Sequence, residues 1–187
     1  MHPSRSILRH KTKVTAPNSS PSDHLPTCQK LSAPLITPAD FQPYGQVIYS
    51  SHDGKTYGAE DAQLVLDQGI PRFYIMRTQQ RGLKFHVITR HNLCTQCLGS
   101  LGNKSWLLAV APPGEESELD LKQIQAFTIS GDCFIKLHVG TWHAGPYFQD
   151  YDFVDFYNLE LADTNVIDHQ TCNLLTKFNL EIELIPD

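Results

Sequence analysis

After residue 30 the chain consists mainly of short apolar runs, and in three of the six quoted below polar residues fall at every second position. Alternation of this kind is typical of β-strands with one buried face. The runs are RFYIMR (72–77), LKFHVIT (83–89), SWLLAVAP (105–112), CFIKLHV (133–139), YDFVDFYNLEL (151–161) and KFNLEIELI (177–185). Turn residues such as Asp53-Gly54 and Pro112-Pro113-Gly114 separate them, so the pattern predicts many short strands.

Two segments favour helix instead. In TPADF (37–41) a threonine precedes a proline, which is typical of a helix N-terminus, and ELDLKQIQAF (118–127) has a helical period. Short strands at close spacing with few helices predict a mostly β protein. An antiparallel β-sandwich or β-barrel is expected, with double-sheet jelly rolls and cupins among the candidates.

The N-terminal segment differs in composition from the rest. Residues 1–22 carry four basic side chains and no acidic one, and the segment is rich in Ser, Thr and Pro. We expect a disordered basic extension over residues 1–30 and a single β-barrel domain over 31–187. The lack of acids also resembles a transit peptide, which would place the protein in an organelle rather than the cytoplasm. No apolar run is long enough for a secretory signal or a membrane span.

Charge and cysteine content narrow the function classes. Beyond the N-terminal segment, acidic side chains outnumber basic ones by nine, and no basic cluster appears, so neither a nucleic acid nor an anionic membrane is expected as partner. The five cysteines have no repeating spacing, which favours free thiols in a reducing compartment. The C-T-Q-C at 94–97 lacks a second pair, and we interpret it as structural.

Candidate chemistry concentrates in two segments, FHVITRHNLCTQ (85–96) and HVGTWHAGPYF (138–148). On a strand, Thr89 and His91 would share one face, and Ile88 and Arg90 the other. The first segment compares with the first cupin motif through Thr89, His91 and Gln96. The second compares with the second cupin motif through Gly131, His138, Gly140 and His143, with Gly140 allowing a tight turn. Trp142 is expected to form a wall of the pocket.

With these residues the chain resembles the ureidoglycolate lyase family over residues 33–172. The similar segments are PADFQPYGQVI, the RH and TQ of residues 90–96, DLKQIQAF and HVGTWHAGPYF. The resemblance implies a cupin-like β-barrel with a few short helices. It also implies cleavage of ureidoglycolate to glyoxylate and urea, a step of allantoin breakdown in purine catabolism. Three positions differ from the family pattern: Thr89 stands where the family has Glu, Leu161 where it has Arg, and Ala144 where it has a second His.

The resemblance and the chemistry together give each candidate residue a role. His91, His143 and His138 are expected to be catalytic, since cleavage of a carbinolamide needs a base for the hydroxyl and an acid for the leaving nitrogen. The expected substrate-binding residues are Gln96, Arg90, Thr89 and Trp142. His91, Gln96 and His143 could instead hold a divalent metal such as nickel, manganese or zinc.

Two other functions remain open at this point. One is a non-catalytic cupin-like module that binds a small 2-oxo or 2-hydroxy acid, and the other is a different metal-dependent cupin enzyme. A homodimer is expected, because cyclic dimers are the commonest assemblies, and the apolar segment Phe73–Met76 is a candidate for the contact.

Overall fold

The computed structural model describes residues 25–187, which form three β-sheets arranged as layers. The middle sheet has, in spatial order, β12 (Gln170–Asn173), β5 (Val87–Arg90), β10 (Trp142–Tyr147), β7 (Trp106–Ala111) and β8 (Gln125–Ile129). The large outer sheet has β2 (Gly45–Tyr49), β9 (Cys133–Leu137), β6 (Gln96–Ser100), β11 (Phe153–Leu161) and β3 (Pro71–Gln79). The small outer sheet has β1 (Thr27–Ala33), β13 (Leu180–Pro186) and β4 (Lys84–Phe85). Three short α-helices complete the fold: α1 (Pro38–Phe41), α2 (Thr164–Ile167) and α3 (Leu174–Phe178).

The middle sheet lies between the two outer sheets. Its strand β7 is buried on both faces, which explains why the sequence of β7 is continuously apolar. Leu107, Ala109 and Ala111 pack in the core between the middle and small outer sheets. Trp106, Leu108 and Val110 pack in the second core, between the middle and large outer sheets. Each fully buried Leu or Val contributes about 1.5–3 kcal/mol relative to exposure. The strand therefore joins the two cores.

The predicted mostly β, cupin-like architecture with a few short helices is confirmed, but the expected barrel closure is wrong. In the part of the chain that the structure describes, each large sheet is open, with β2 and β3 at the edges of one and β12 and β8 at the edges of the other. The fold is a layered sandwich. Antiparallel pairing holds its strands together, except that β1 and β13 run parallel.

The helix expected over residues 118–127 is also wrong. Only two 3-10 turns form there, Glu116–Glu118 and Leu121–Gln123, and the chain then enters β8 beside β7. Ala126 packs in one core and Phe127 in the other, which requires the alternating side chains of a strand rather than one helical face. The helix expected at 37–41 does form: Thr37 Oγ1 accepts a hydrogen bond from the Asp40 backbone N–H at 3.2 Å.

The folded domain begins earlier than residue 31. Strand β1 starts at Thr27 and pairs in register with β13 through Ala33, so residues 27–30 belong to the small outer sheet. Their polar side chains gave no strand signal because this part of β1 is exposed. The rest of the expected extension, including any transit peptide in residues 1–24, lies outside the described residues. All five cysteines are free thiols. No helix within residues 25–187 is long and apolar enough to cross a bilayer.

Candidate functional site

A cavity of about 490 Å³ lies between the middle sheet and the large outer sheet, and its lining extends to β4 of the small outer sheet. The middle sheet contributes Thr89 and His143, and His91 follows directly after β5. The large outer sheet contributes Met76, Thr78, Gln96 and Leu98. Asn165 of α2 and His169, just before β12, close one side. Residues from distant parts of the sequence therefore meet in one cavity of mixed polar and apolar lining.

Two buried imidazoles stand together in this cavity. The ring centroids of His91 and His143 are 5.2 Å apart. His91 Nδ1 lies 2.6 Å from the Asp168 carbonyl oxygen, and His143 Nδ1 lies 3.1 Å from that of Thr141. A carbonyl only accepts hydrogen bonds, so each neutral ring carries its proton on Nδ1 and donates it there. Each Nε2 is therefore left as an acceptor.

The surroundings keep both rings uncharged near neutral pH. Burial lowers the pKa of His91, although the Asp168 carbonyl and the charges of Asp168 and Glu160 raise it in part. Burial, and then the neighbouring His91, lower the pKa of His143 to about 3. Of the two rings His91 is the stronger base, because it has the nearby negative charges that His143 lacks.

Two turns hold His91 and His143 in place. Gly140, with a φ of 81°, lies in the turn before β10, and its N–H donates to the His91 carbonyl at 2.7 Å. This left-handed conformation favours glycine. On the other side of His91, the carboxylate of Asp168 accepts from the N–H groups of Asn92 and Leu93, each at 2.8 Å. Asp168 thus positions His91 through both its carboxylate and its carbonyl.

A buried carboxylate lies behind the cavity wall. Glu160 is 1% exposed, and its Oε2 accepts from Gln96 Nε2 at 2.9 Å. Its Oε1 accepts from Tyr74 Oη at 3.2 Å and Asn165 Nδ2 at 3.3 Å. The other amide atom, Gln96 Oε1, is buried and has no hydrogen-bond partner among the described residues. A buried acceptor of this kind needs a donor, which a ligand can supply.

The site expected from the sequence did not include Glu160, Asn165 or His169. Glu160 stands at an inward position of the run YDFVDFYNLEL, in the same alternation as Val154 and Phe156. A charged residue at a core position was the available signal. His169, whose ring centroid is 5.8 Å from that of His91, follows α2 in a segment without periodicity. No pattern in the sequence could have placed it here.

Arg90 and Trp142 lie away from the cavity, contrary to their expected roles in substrate binding. Arg90 is 4% exposed and contacts Glu115 at 2.9 Å, the Gly114 carbonyl and Gln170, and its guanidinium lies 4.7 Å from the centroid of the Trp142 ring. Trp142 is 1% exposed and belongs to the core next to the small outer sheet. Both side chains follow strand alternation, which places them opposite Thr89 and His143.

His138 also lies outside the cavity lining. Its Nδ1 accepts from Lys136 Nζ at 2.9 Å, and its Nε2 donates to the Gln42 carbonyl at 3.2 Å. Both ring nitrogens are therefore used in joining β9 to the segment after α1. This position fits a structural imidazole and does not fit the expected catalytic one.

The expected metal set of His91, Gln96 and His143 offers two imidazoles and one neutral amide. Among residues 25–187, no group of three or more His, Cys, Asp or Glu side chains has an arrangement that could hold a metal ion. Nickel, manganese and zinc sites in enzymes normally use at least three strong protein ligands. The residues do not fit such an ion, and no catalytic step is assigned to one.

The layered sheets define a cupin-like β-sandwich protein, and a cavity of mixed polar and apolar lining that contains two neutral imidazoles lies among them. A family model described as ureidoglycolate lyase matches residues 28–179, and the chain belongs to this family. The family assignment made from the sequence segments is thus confirmed. A comparison with curated proteins finds no match. Membership implies a lyase acting on a small molecule.

Proposed function

We propose that the protein cleaves ureidoglycolate to glyoxylate and urea. The observation that carries the proposal is the pairing of His91 and His143 in one cavity beside Gln96. Their ring centroids are 5.2 Å apart, and neither Nε2 has a hydrogen-bond partner among the described residues. Family membership supports the same reaction class.

The reaction moves one proton from oxygen to nitrogen. His91 Nε2 takes the proton of the 2-hydroxyl group, the C–N bond breaks as the aldehyde C=O forms, and the departing urea nitrogen receives the proton back from the imidazolium. Atoms and charge balance without a further reactant. The Asp168 carbonyl and the Glu160 carboxylate stabilise the transient positive charge on His91, since both raise its proton affinity.

The cavity also supplies groups that could hold the substrate. Gln96 Oε1 is an unpartnered buried acceptor suited to a ureido N–H, and the neutral Nε2 of His143 is a second acceptor. Thr89, which pairs with His143 across β5 and β10, and His169 supply donors for the carboxylate. Arg90 has no part in this arrangement, because it lies on the opposite face.

The test is turnover of ureidoglycolate by the purified full chain, with glyoxylate and urea both quantified. Equal release of the two products is expected, and His91→Asn should reduce kcat by about 10²–10⁴-fold. His52→Asn is a matched control, because His52 is exposed in a turn away from the cavity. Absence of turnover by the wild type, or equal turnover by His91→Asn, would overturn the proposal.

A second candidate is a non-catalytic module that binds a 2-oxo or 2-hydroxy acid. Thr89 favours it, since the family has Glu at this cavity position. Calorimetry with glyoxylate separates the two: a pure binding module gives heat but no turnover of ureidoglycolate. Thr89→Glu would then introduce turnover if only this carboxylate were lacking.

We further propose a homodimer, formed through the outer face of the large outer sheet. Phe73, Ile75 and Tyr157 are 69%, 59% and 47% exposed on neighbouring strands, and the rings of Phe73 and Tyr157 stack at 6.0 Å. Exposed apolar side chains in contact with each other favour association. Light scattering should give a dimer mass for the wild type and a monomer mass for Ile75→Lys. A monomeric wild type at micromolar concentration would refute the dimer.

We also propose that the protein works in a reducing compartment. Four of the five thiols are buried and none is bonded to another, which fits a cytoplasmic protein.

A further inference from the structure

The cavity has a second end, which is basic. Arg81 and Lys84 line it together with Phe85 and Tyr147. The guanidinium of Arg81 lies 4.6 Å from the centroid of the Tyr147 ring, and that ring stacks on Phe85 at 5.8 Å. The aromatic pair thus gives the guanidinium a fixed support. We call this end the basic mouth.

The charge of the basic mouth is largely free for a ligand. Within the part of the chain that the structure describes, Arg81 has no carboxylate within ion-pair distance, and Lys84 has only Glu181 at 3.7 Å. The Lys84 side chain is 52% exposed, so its pairing with Glu181 is weak. A guanidinium that faces a cavity without an acidic partner is suited to an anion.

The basic mouth lies far from the histidine pair. Tyr147, under the Arg81 guanidinium, follows His143 on β10 across a β-bulge. Their partners on β7, Leu107 and Val110, are three residues apart, which is about 10 Å at the rise of an extended strand. The longest chain of non-hydrogen atoms in ureidoglycolate measures about 6 Å from standard bond lengths. Ureidoglycolate is therefore shorter than the separation of these two positions along the sheet.

The two ends also differ in the groups that they recognise. The histidine end presents acceptors: Gln96 Oε1, the two Nε2 atoms and, behind them, the Glu160 carboxylate. It takes N–H donors, and for a carboxylate it has the donors of Thr89 and His169 but no Lys or Arg side chain. The basic mouth takes an anion, and about 490 Å³ of space joins the two.

We propose that the cavity also binds ureido acids longer than ureidoglycolate, with the ureido group beside Gln96 and the carboxylate at Arg81. The proposal rests on the proposed function in placing a ureido group at the histidine end, and it extends the substrate class. Arg81 is then a specificity-determining residue that sets the distance between the ureido and carboxylate groups.

The experiment is calorimetric titration of the full chain with ω-ureidoalkanoates carrying one to six methylene groups, and with the matching uncharged carboxamides. Affinity should rise along the acid series and exceed that of the carboxamide by about tenfold at the best length, as expected for a hydrogen-bonded charge. Arg81→Gln should remove both the length dependence and the preference for acid, and Arg81→Lys should retain part of each. Lys55→Gln, which removes a positive charge lining a different cavity, should change neither.

Several outcomes would overturn the proposal: a flat acid series, equal affinity for acid and carboxamide, or unchanged behaviour in Arg81→Gln. A wild-type comparison with ω-ureidoalkylamines needs no variant, and amines that bind as well as the acids would also overturn it. Turnover of ureidoglycolate tests the proposed function separately. Turnover of ureidoglycolate without a length preference would support the proposed function and contradict the basic-mouth subsite. An Arg81-dependent length preference without turnover would support the subsite and contradict the proposed function.

Discussion

Gln96 Nε2 donates to Glu160 Oε2 at 2.9 Å across the neighbouring strands β6 and β11, and both side chains are buried. This bond leaves Gln96 Oε1 buried and without a partner among the described residues, so Glu160 fixes the orientation of the amide. The Glu160 carboxylate therefore orders the Gln96 amide, which is proposed to bind the ureido group. It does not act as a metal ligand, and it does not take the place of the family Glu that is absent at Thr89.

Glu160→Gln should lower kcat for ureidoglycolate by about ten- to hundredfold while the protein stays folded. The substitution keeps the shape but removes a negative charge that raises the pKa of His91. The acid limb of the kcat/KM profile should therefore move to lower pH. Rates measured between pH 4 and 8 check this, with exposed Glu60→Gln as the control. An unchanged acid limb would mean that Glu160 is only structural.

His143→Asn should abolish most activity with little loss of fold, since the neutral ring contributes an acceptor rather than a charge pair. We expect kcat to fall by about 10²–10⁴-fold. Thermal melting and product release, measured on the same preparation, separate the two effects. A variant that fails to fold would instead assign His143 to the core.

Trp142→Ala should have the opposite effect. Trp142 is almost fully buried next to the small outer sheet and supports the Arg90 guanidinium, so its removal should cost about 3–5 kcal/mol in the free energy of unfolding. Urea unfolding measures this loss, and turnover measured well below the melting temperature should stay close to wild type. Lost turnover in a stable protein would place the indole in the site after all.

The stability of the protein should fall as pH decreases from about 6.5 to about 3. The pKa of His143 is about 3 in the folded state against an ordinary value of 6.5, so the unfolded state binds more protons in this window. The contribution of the neutral His143 ring to the free energy of unfolding is fully present above pH 6.5. It is lost on acidification, at up to about 1.4 kcal/mol per pH unit. Urea unfolding at pH 7 and pH 5 should show a smaller difference for His143→Gln than for the wild type. Equal differences would contradict a buried neutral ring.

Lys136→Met should stabilise the protein. Lys136 is 2% exposed, contacts His138 and has no carboxylate partner among the described residues, and burial lowers its pKa. Removing the desolvated amine should add about 1–3 kcal/mol to the free energy of unfolding at pH 7. Because the unfolded lysine keeps its proton up to pH 10.5, the wild type should recover part of this difference as pH rises. Exposed Lys55→Met is the control, and a destabilised Lys136→Met would show that the contact with His138 outweighs the burial.

Strand alternation explains how much of the site could be predicted. It places Thr89 on the cavity side and Arg90 on the other, as the structure has them. The expected role of Arg90 required a shifted register, and that of Trp142 required it to face the same way as its neighbour His143. Both expectations conflicted with the two-residue period.

The remaining errors concern contacts between distant segments. Alternation identifies a buried face but does not say which sheet covers it, so an open sandwich and a closed barrel have the same sequence pattern. Glu160, Asn165 and His169 come to His91 and Gln96 through the pairing of β11 with β6 and of β12 with β5. That pairing is set by packing across the whole domain, which local periodicity does not report.

The two faces of β5 also restrict how this four-residue strand can pair. A slip of one residue against β10 would turn Ile88 and Arg90 toward the cavity and Thr89 toward the apolar core. Arg90 would lose Glu115 and Gln170, and the core would receive a hydroxyl group in place of Ile88. Misregistered forms are therefore penalised on both faces at once, which gives a very short strand a single pairing during folding. Arg90→Val would weaken this discrimination and favour trapped, misaligned chains during refolding, even though the Arg90 side chain lies outside the cavity.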